Sequence, residues 1–110
     1  MRVVTITTGG SVLWGDVEKI DLEFLKAQVD GWIELVPVRG TTINMYLNEE
    51  GKLEGLPFNE LASRIAWRTR SVSQSDAIVG NVVLVGAIDD EGDDTGLEDE
   101  AIKWIEEMVK

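Results

Sequence analysis

Between Ala77 and Ile88 the chain is almost continuously apolar, with Val79, Val82, Val83, Leu84 and Val85 in close succession. A half-exposed strand alternates apolar and polar residues, whereas a strand covered on both faces reads as an unbroken run of this kind. The run is therefore placed at the centre of a sheet. At an edge it would be an association hazard unless a second copy of the chain covered it, which leaves a homodimer open. Gly80 and Gly86 inside the run point to a bulge or a close backbone approach.

The rest of the chain supplies the neighbours of such a strand. Arg2 to Thr7 alternates with the period of a strand, and Gly9-Gly10 turns it back into Ser11-Val12-Leu13-Trp14, an opening hairpin. Asp21 caps a short helix that carries Leu22, Leu25 and Val29 on one face, and Asp30-Gly31 ends it in a left-handed turn. Trp32 to Val38 and Ile43 to Asn48 are strands joined through Arg39-Gly40, and they pair antiparallel. Asn59 caps a second helix with Leu61, Ala62, Ile65 and Ala66 on its inner side, ending near Arg70. Thr95 and Glu98 have capping-box spacing ahead of a last helix lined by Leu97, Ala101, Ile105 and Met108.

The expected fold is α+β, an antiparallel or mixed sheet of four to five strands with two to three helices packed on one face. The 110 residues suit one domain. Its parts are a body over residues 1–88, a hinge-like acidic linker over 89–96, and a C-terminal amphipathic helix over 97–110 packed on that body. The formal charge of −11 is unevenly spread: residues 1–88 hold 11 acidic and 8 basic side chains, residues 89–110 hold 10 and 2. Nucleic-acid binding depends on lysine and arginine, so direct binding of DNA or RNA is not expected, and basic protein partners are favoured. No run approaches the roughly 20 apolar residues that span a bilayer, and the first residues lack the apolar core of a signal peptide. With no cysteine in the chain, a cytoplasmic setting is expected.

One resemblance stands out. The stretch Val29 to Pro37, the pattern Asn48, Glu50-Gly51-Lys52, Gly55-Leu56-Pro57 and Asn59, and the strand Ile78 to Gly86 together resemble the domain-of-unknown-function family numbered 3846. On this reading the likeness covers most of residues 1–86 and leaves the acidic extension from Asp89 outside it. The resemblance implies a setting, that of a phage-encoded accessory protein in a bacterial cytoplasm. It implies no activity and no catalytic residue.

The chemistry available is narrow. Without histidine or cysteine there is no Ser-His-Asp or Cys-His machinery and no histidine or thiolate metal ligand. No phosphate-loop or dinucleotide fingerprint occurs, and Gly51-Lys52 sits in turn chemistry. Neither a cofactor nor a metal is expected. The segment Asp89 to Gly96 resembles a calcium loop in composition, but with Gly96 at the sixth position Ile102 falls where the bidentate glutamate belongs.

Two surfaces remain for a partner. The acidic one carries Asp89, Asp90, Asp93 and Asp94, which would stand in for phosphates if the chain mimics nucleic acid. The plainer reading is a solubilising face, with the last helix laced by Asp99–Lys103 and Glu106–Lys110 pairs. The other surface is the second helix, where Arg64, Trp67 and Arg68 face away from the inner stripe and are of the types that dominate interface hot spots. Its plainer reading has Trp67 at the core edge and the arginines paired with the acidic tail. Trp32 and Tyr46 add an aromatic sheet face, whose plainer reading is that a helix covers it. The functional expectation is a non-catalytic accessory protein that binds and modulates a host or phage protein. The alternatives are an acidic decoy for a nucleic-acid-binding enzyme and a small-ligand-binding protein.

Overall fold

A computed structural model describes residues 1–110. In chain order it contains β1 (Arg2–Ile6), β2 (Val12–Asp16), α1 (Leu22–Val29), β3 (Ile33–Pro37), β4 (Asn44–Asn48), α2 (Glu60–Arg68), β5 (Val82–Val85) and α3 (Asp99–Met108). The five strands form one antiparallel sheet in the order β2-β1-β5-β4-β3. The fold is α+β. Two hairpins, β1–β2 and β3–β4, flank β5, which is last in sequence and central in space. All four β5 residues are buried, as the apolar run requires, although the regular strand occupies only the middle of residues 77–88.

Leu84 lies opposite both Val4 and Met45, and these pair onward with Trp14 and Val36. That row belongs to the face covered by α2 and α3, where Ile65, Ala66, Ala101 and Ile105 complete the larger core. The next row is Leu13, Thr5, Val83, Tyr46 and Leu35, and it faces the other way because successive strand residues alternate. There Leu25 and Val29 of α1 pack with Val83, Val85 and Tyr46 in a second core. The helices are thus not all on one face: α1 lies opposite α2 and α3. The reason is β5, whose side chains are apolar on both sides and need cover on each.

The helix caps follow their residues. The Asp21 carboxylate accepts from the Phe24 amide at 2.9 Å, and Asp30 ends α1 with φ of 60°. Asn59 starts α2 by accepting from Ala62 N–H. The capping box expected at Thr95 and Glu98 does not form. The Thr95 hydroxyl donates to the Ala87 carbonyl, and α3 begins later, behind Glu98, whose side chain makes no capping bond.

Residues 89–96, expected as a hinge-like linker, form a tight turn continuing from β5. Gly86 N–H donates to Thr95 O at 2.8 Å, Asp89 N–H donates to Asp93 O at 2.8 Å, and Ile88 bridges Asp94. The Asp89 carboxylate closes the turn by accepting from the amides of Glu91 and Asp93, both at 2.9 Å. Short acidic side chains bonding their own backbone make turns, and that preference overrides the flexibility their charge suggests. Leu97, Ala101 and Ile105 then enter the larger core, so the C-terminal segment is part of the folded unit.

Candidate functional site

Two polar residues of the Asn48–Asn59 stretch turn out to be internal ties. The Asn48 side chain donates to Val29 O and Asp30 O at 3.2 Å each and accepts from Glu50 N–H at 2.8 Å, joining the end of α1 to the turn after β4. Asn59 is fully buried and donates to Ile6 O at 3.0 Å and Gly80 O at 2.9 Å while it caps α2. Every buried side-chain polar atom has a partner.

The outward side of α2 is different. Trp67 is half-buried, and its indole N–H donates to the Asp76 carbonyl at 2.6 Å. Its ring packs against Phe58 with centroids 6.1 Å apart, a tilted arrangement within the favoured range for aromatic pairs. Phe58 is 48% exposed, a large apolar surface that the fold does not cover. Arg64 and Arg68 lie on the same side at helical spacing, with Arg64 3.8 Å from Glu60 and Arg68 exposed without an ion pair. Beyond the helix end an open depression of about 720 Å³ is lined by Trp67, Arg70, Ser71, Val72, Ser73 and Gln74. The structure therefore brings Arg64, Trp67 and Arg68 together as the spacing predicts, and adds Phe58 and Arg70. Phe58 carries no sequence signal for this role, since it lies outside the helix and reaches Trp67 only through the turn of the chain at Asn59.

At the edge of this surface Lys52 pairs with the Asp76 carboxylate in an exposed ion pair. The hydrogen bond from Lys52 holds the Asp76 carboxyl below its ordinary pKa, helped by the Ala77 amide. The pair ties the turn after β4 to the loop that follows α2, and so steadies the carbonyl that Trp67 uses.

The remaining expected site residues are dispersed. Tyr46 is buried under α1 rather than displayed on an open sheet face, because it points to the α1 side of β4 and Leu25 and Val29 cover it. Its hydroxyl donates to Asp94 at 2.6 Å, which ties the half-buried Asp94 side chain to the sheet. Trp32 is 59% exposed, and the Lys26 ammonium sits 4.0 Å above its ring, a cation–π contact between α1 and the start of β3. Asp89 is committed to its own turn, which leaves Asp90 and Asp93 facing solvent with Glu91. No arginine reaches this turn. The Asp99–Lys103 and Glu106–Lys110 pairs do not form either; Lys110 bonds Glu107 at 3.1 Å instead, one helical step closer. No three acidic side chains converge on one point that would hold a metal ion.

A second hollow, about 410 Å³, opens between the β3–β4 loop and the start of α3. It is lined by Thr41, Thr42, Glu98, Glu100 and Trp104 among others. Its walls offer hydroxyls and carboxylates but no cation and no buried unpartnered donor.

A family model described as a domain of unknown function (DUF3846) matches residues 1–110. The match includes the acidic turn and α3, so the C-terminal segment lies inside the family domain and not beyond it, in keeping with the burial of Leu97, Ala101 and Ile105. No enzyme family is indicated. No curated protein and no solved structure matches the chain. No helix is long and apolar enough to cross a membrane.

Proposed function

The chain belongs to the DUF3846 family, a membership that brings no reaction with it, and we propose that it acts by binding a protein partner through the outer side of α2. The observation that carries this reading is the Phe58–Trp67 pair, an aromatic surface left open on the side of α2 that also carries Arg64 and Arg68. Aromatic and arginine side chains dominate the energy at protein interfaces: aromatic rings bury large areas with few rotatable bonds, and the planar guanidinium presents several donors in a fixed fork. The arginines also suit acidic or polar groups on the partner, by bidentate hydrogen bonds. The domain is non-catalytic on this reading, and its setting is that of a phage-type accessory protein acting in the bacterial cytoplasm on a host or phage protein.

The decoy reading places binding on the acidic turn. Cutting the chain at Ile88 would not separate the two, because Leu97, Ala101 and Ile105 are core residues and their loss would open the larger core. Substitution does separate them. Capture from bacterial lysate is compared for the native chain, for Phe58→Ala with Arg68→Ala, and for Asp90→Asn with Glu91→Gln and Asp93→Asn. All positions altered are exposed, so circular dichroism should show the same fold. The proposal expects one partner to be lost with the α2 variant and kept with the neutralised turn. The reverse result, with recovery falling steeply with salt, would establish the decoy. Recovery of the same partner by all three chains would overturn both.

A further inference from the structure

We propose that two copies of the chain pair antiparallel through their β2 edges, about a two-fold axis at Trp14. This rests on the sheet edge and stands apart from the α2 proposal.

The phase of the β1–β2 ladder decides which backbone groups are free. Thr7 N–H donates to Ser11 O at 3.0 Å and Val17 N–H donates to Met1 O at 2.9 Å, at the two ends of a ladder whose facing residues include Val3–Gly15 and Thr5–Leu13. Bonded and non-bonded pairs alternate in an antiparallel ladder, so the odd-numbered residues of β2 bond β1. Val12, Trp14 and Asp16 therefore turn their N–H and C=O groups out of the sheet. The strand has no proline, lysine or bulge to blunt the edge, and its one charge, Asp16, is paired with the Met1 ammonium at 2.9 Å.

The opposite edge is blunted. Glu49 N–H donates to Trp32 O at 2.8 Å and Val38 N–H donates to Ile43 O at 2.9 Å, so the even-numbered residues of β3 bond β4. Ile33, Leu35 and Pro37 point outward, and Pro37 has no N–H to offer.

A second copy fits β2 because the strand matches itself. With Trp14 opposite its own counterpart, Val12 faces the partner's Asp16, and all the outward groups meet in bonded pairs. On the α1 side Leu13, 55% exposed, then faces the partner's Gly15. Gly15 is not required by the single chain. Its φ is not positive, and a Cβ there would lie 3.6 Å from Val3 Cγ2, an ordinary contact. Glycine inside a strand is destabilising relative to alanine and offers nothing to pack. The partner's Leu13 gives the gap an occupant. Trp14, 37% exposed, lies on the other side of the sheet and would lie against its copy. Charge does not oppose the contact locally: Arg2 and Lys19 balance Asp16 and Glu18 over the first twenty residues, whereas the excess negative charge lies from Asp89 onward.

Analytical ultracentrifugation of the native chain, from micromolar to millimolar concentration, should show the 12.2 kDa species giving way to one of twice that mass. Trp14→Pro, which removes the outward N–H at the two-fold axis without touching the β1–β2 ladder, should remain monomeric while keeping the native circular dichroism. Trp14→Cys should cross-link under mild oxidation, because facing bonded residues have Cα atoms about 5.5 Å apart, within disulfide reach. The chain has no other cysteine, so the cross-link has one interpretation, and Leu53→Cys at an exposed site serves as the control. Monomer alone at millimolar concentration overturns the proposal, as does a dimer that Trp14→Pro leaves intact or equal cross-linking at positions 14 and 53.

Discussion

The hydroxyl of Tyr46 donates to the carboxylate of Asp94 at 2.6 Å, joining β4 to the acidic turn across 48 residues of sequence. It is the one side-chain bond between the sheet and an acidic residue of that turn, and it lies at the border of the smaller core. Hydrogen bonds to a charged acceptor are stronger than neutral ones.

Tyr46→Phe removes this bond and leaves the ring. Asp94 keeps access to water, so the loss should be about 1–2 kcal/mol. Urea unfolding of the two proteins gives the difference. An unchanged midpoint would show that Asp94 is not held by the hydroxyl.

The same contact sets an alkaline limit. Burial, and then the hydrogen bond and charge of Asp94, raise the Tyr46 pKa well above its ordinary value. The folded state thus holds the phenolic proton more tightly than the unfolded state. The contribution is complete below the unfolded pKa of about 10 and is lost as pH rises from there through the folded value. Thermal midpoints between neutral pH and pH 11 or so should fall more for the native chain than for Tyr46→Phe.

Asn59 joins three elements, so its replacement should be costly. Asn59→Ala strands the Ile6 and Gly80 carbonyls and removes the α2 cap, a combined loss of about 3–4 kcal/mol. Asn59→Asp keeps the cap acceptor but sets a carboxylate against two carbonyls, and should be no better. An aspartate variant as stable as the native chain by denaturant titration would contradict the assigned bonds.

Gly86 has a sharper requirement. A Cβ at this position would lie 2.2 Å from the Gly96 carbonyl oxygen, and that neighbour is backbone. Gly86→Ala should destabilise by about 3 kcal/mol. Because Gly86 N–H and Thr95 O are bonded, amide exchange should speed up first across residues 86–96.

Much of this architecture was legible from local chemistry. Both hairpins and the caps at Asp21, Asp30 and Asn59 follow from residues close in sequence, and the apolar run of β5 requires a central place. The position of α1 was not legible, because the side a helix takes depends on strand order, which periodicity does not encode. The turn at Asp89 was hidden for another reason: its carboxylate bonds backbone amides two and four residues on, so a group counted as free charge is an internal acceptor. Arg64, Trp67 and Arg68 were readable from helical spacing. Phe58 was not, since only the folded chain brings it onto Trp67. The family likeness was visible in the Asn48–Asn59 stretch, but those residues serve the fold, which is why they gave no clue to a reaction.

The central place of β5 has a consequence during synthesis. Four strands leave the ribosome before the one that joins them, so the nascent chain holds two separate hairpins, each with an open inner edge. Nothing local can close that gap, and contacts so distant in sequence form slowly. Until Val82 to Val85 arrive, the inner edges of β1 and β4 are exposed to any extended segment nearby, including those of neighbouring nascent chains. Premature termination before β5 should therefore leave an aggregation-prone fragment and not a smaller folded domain.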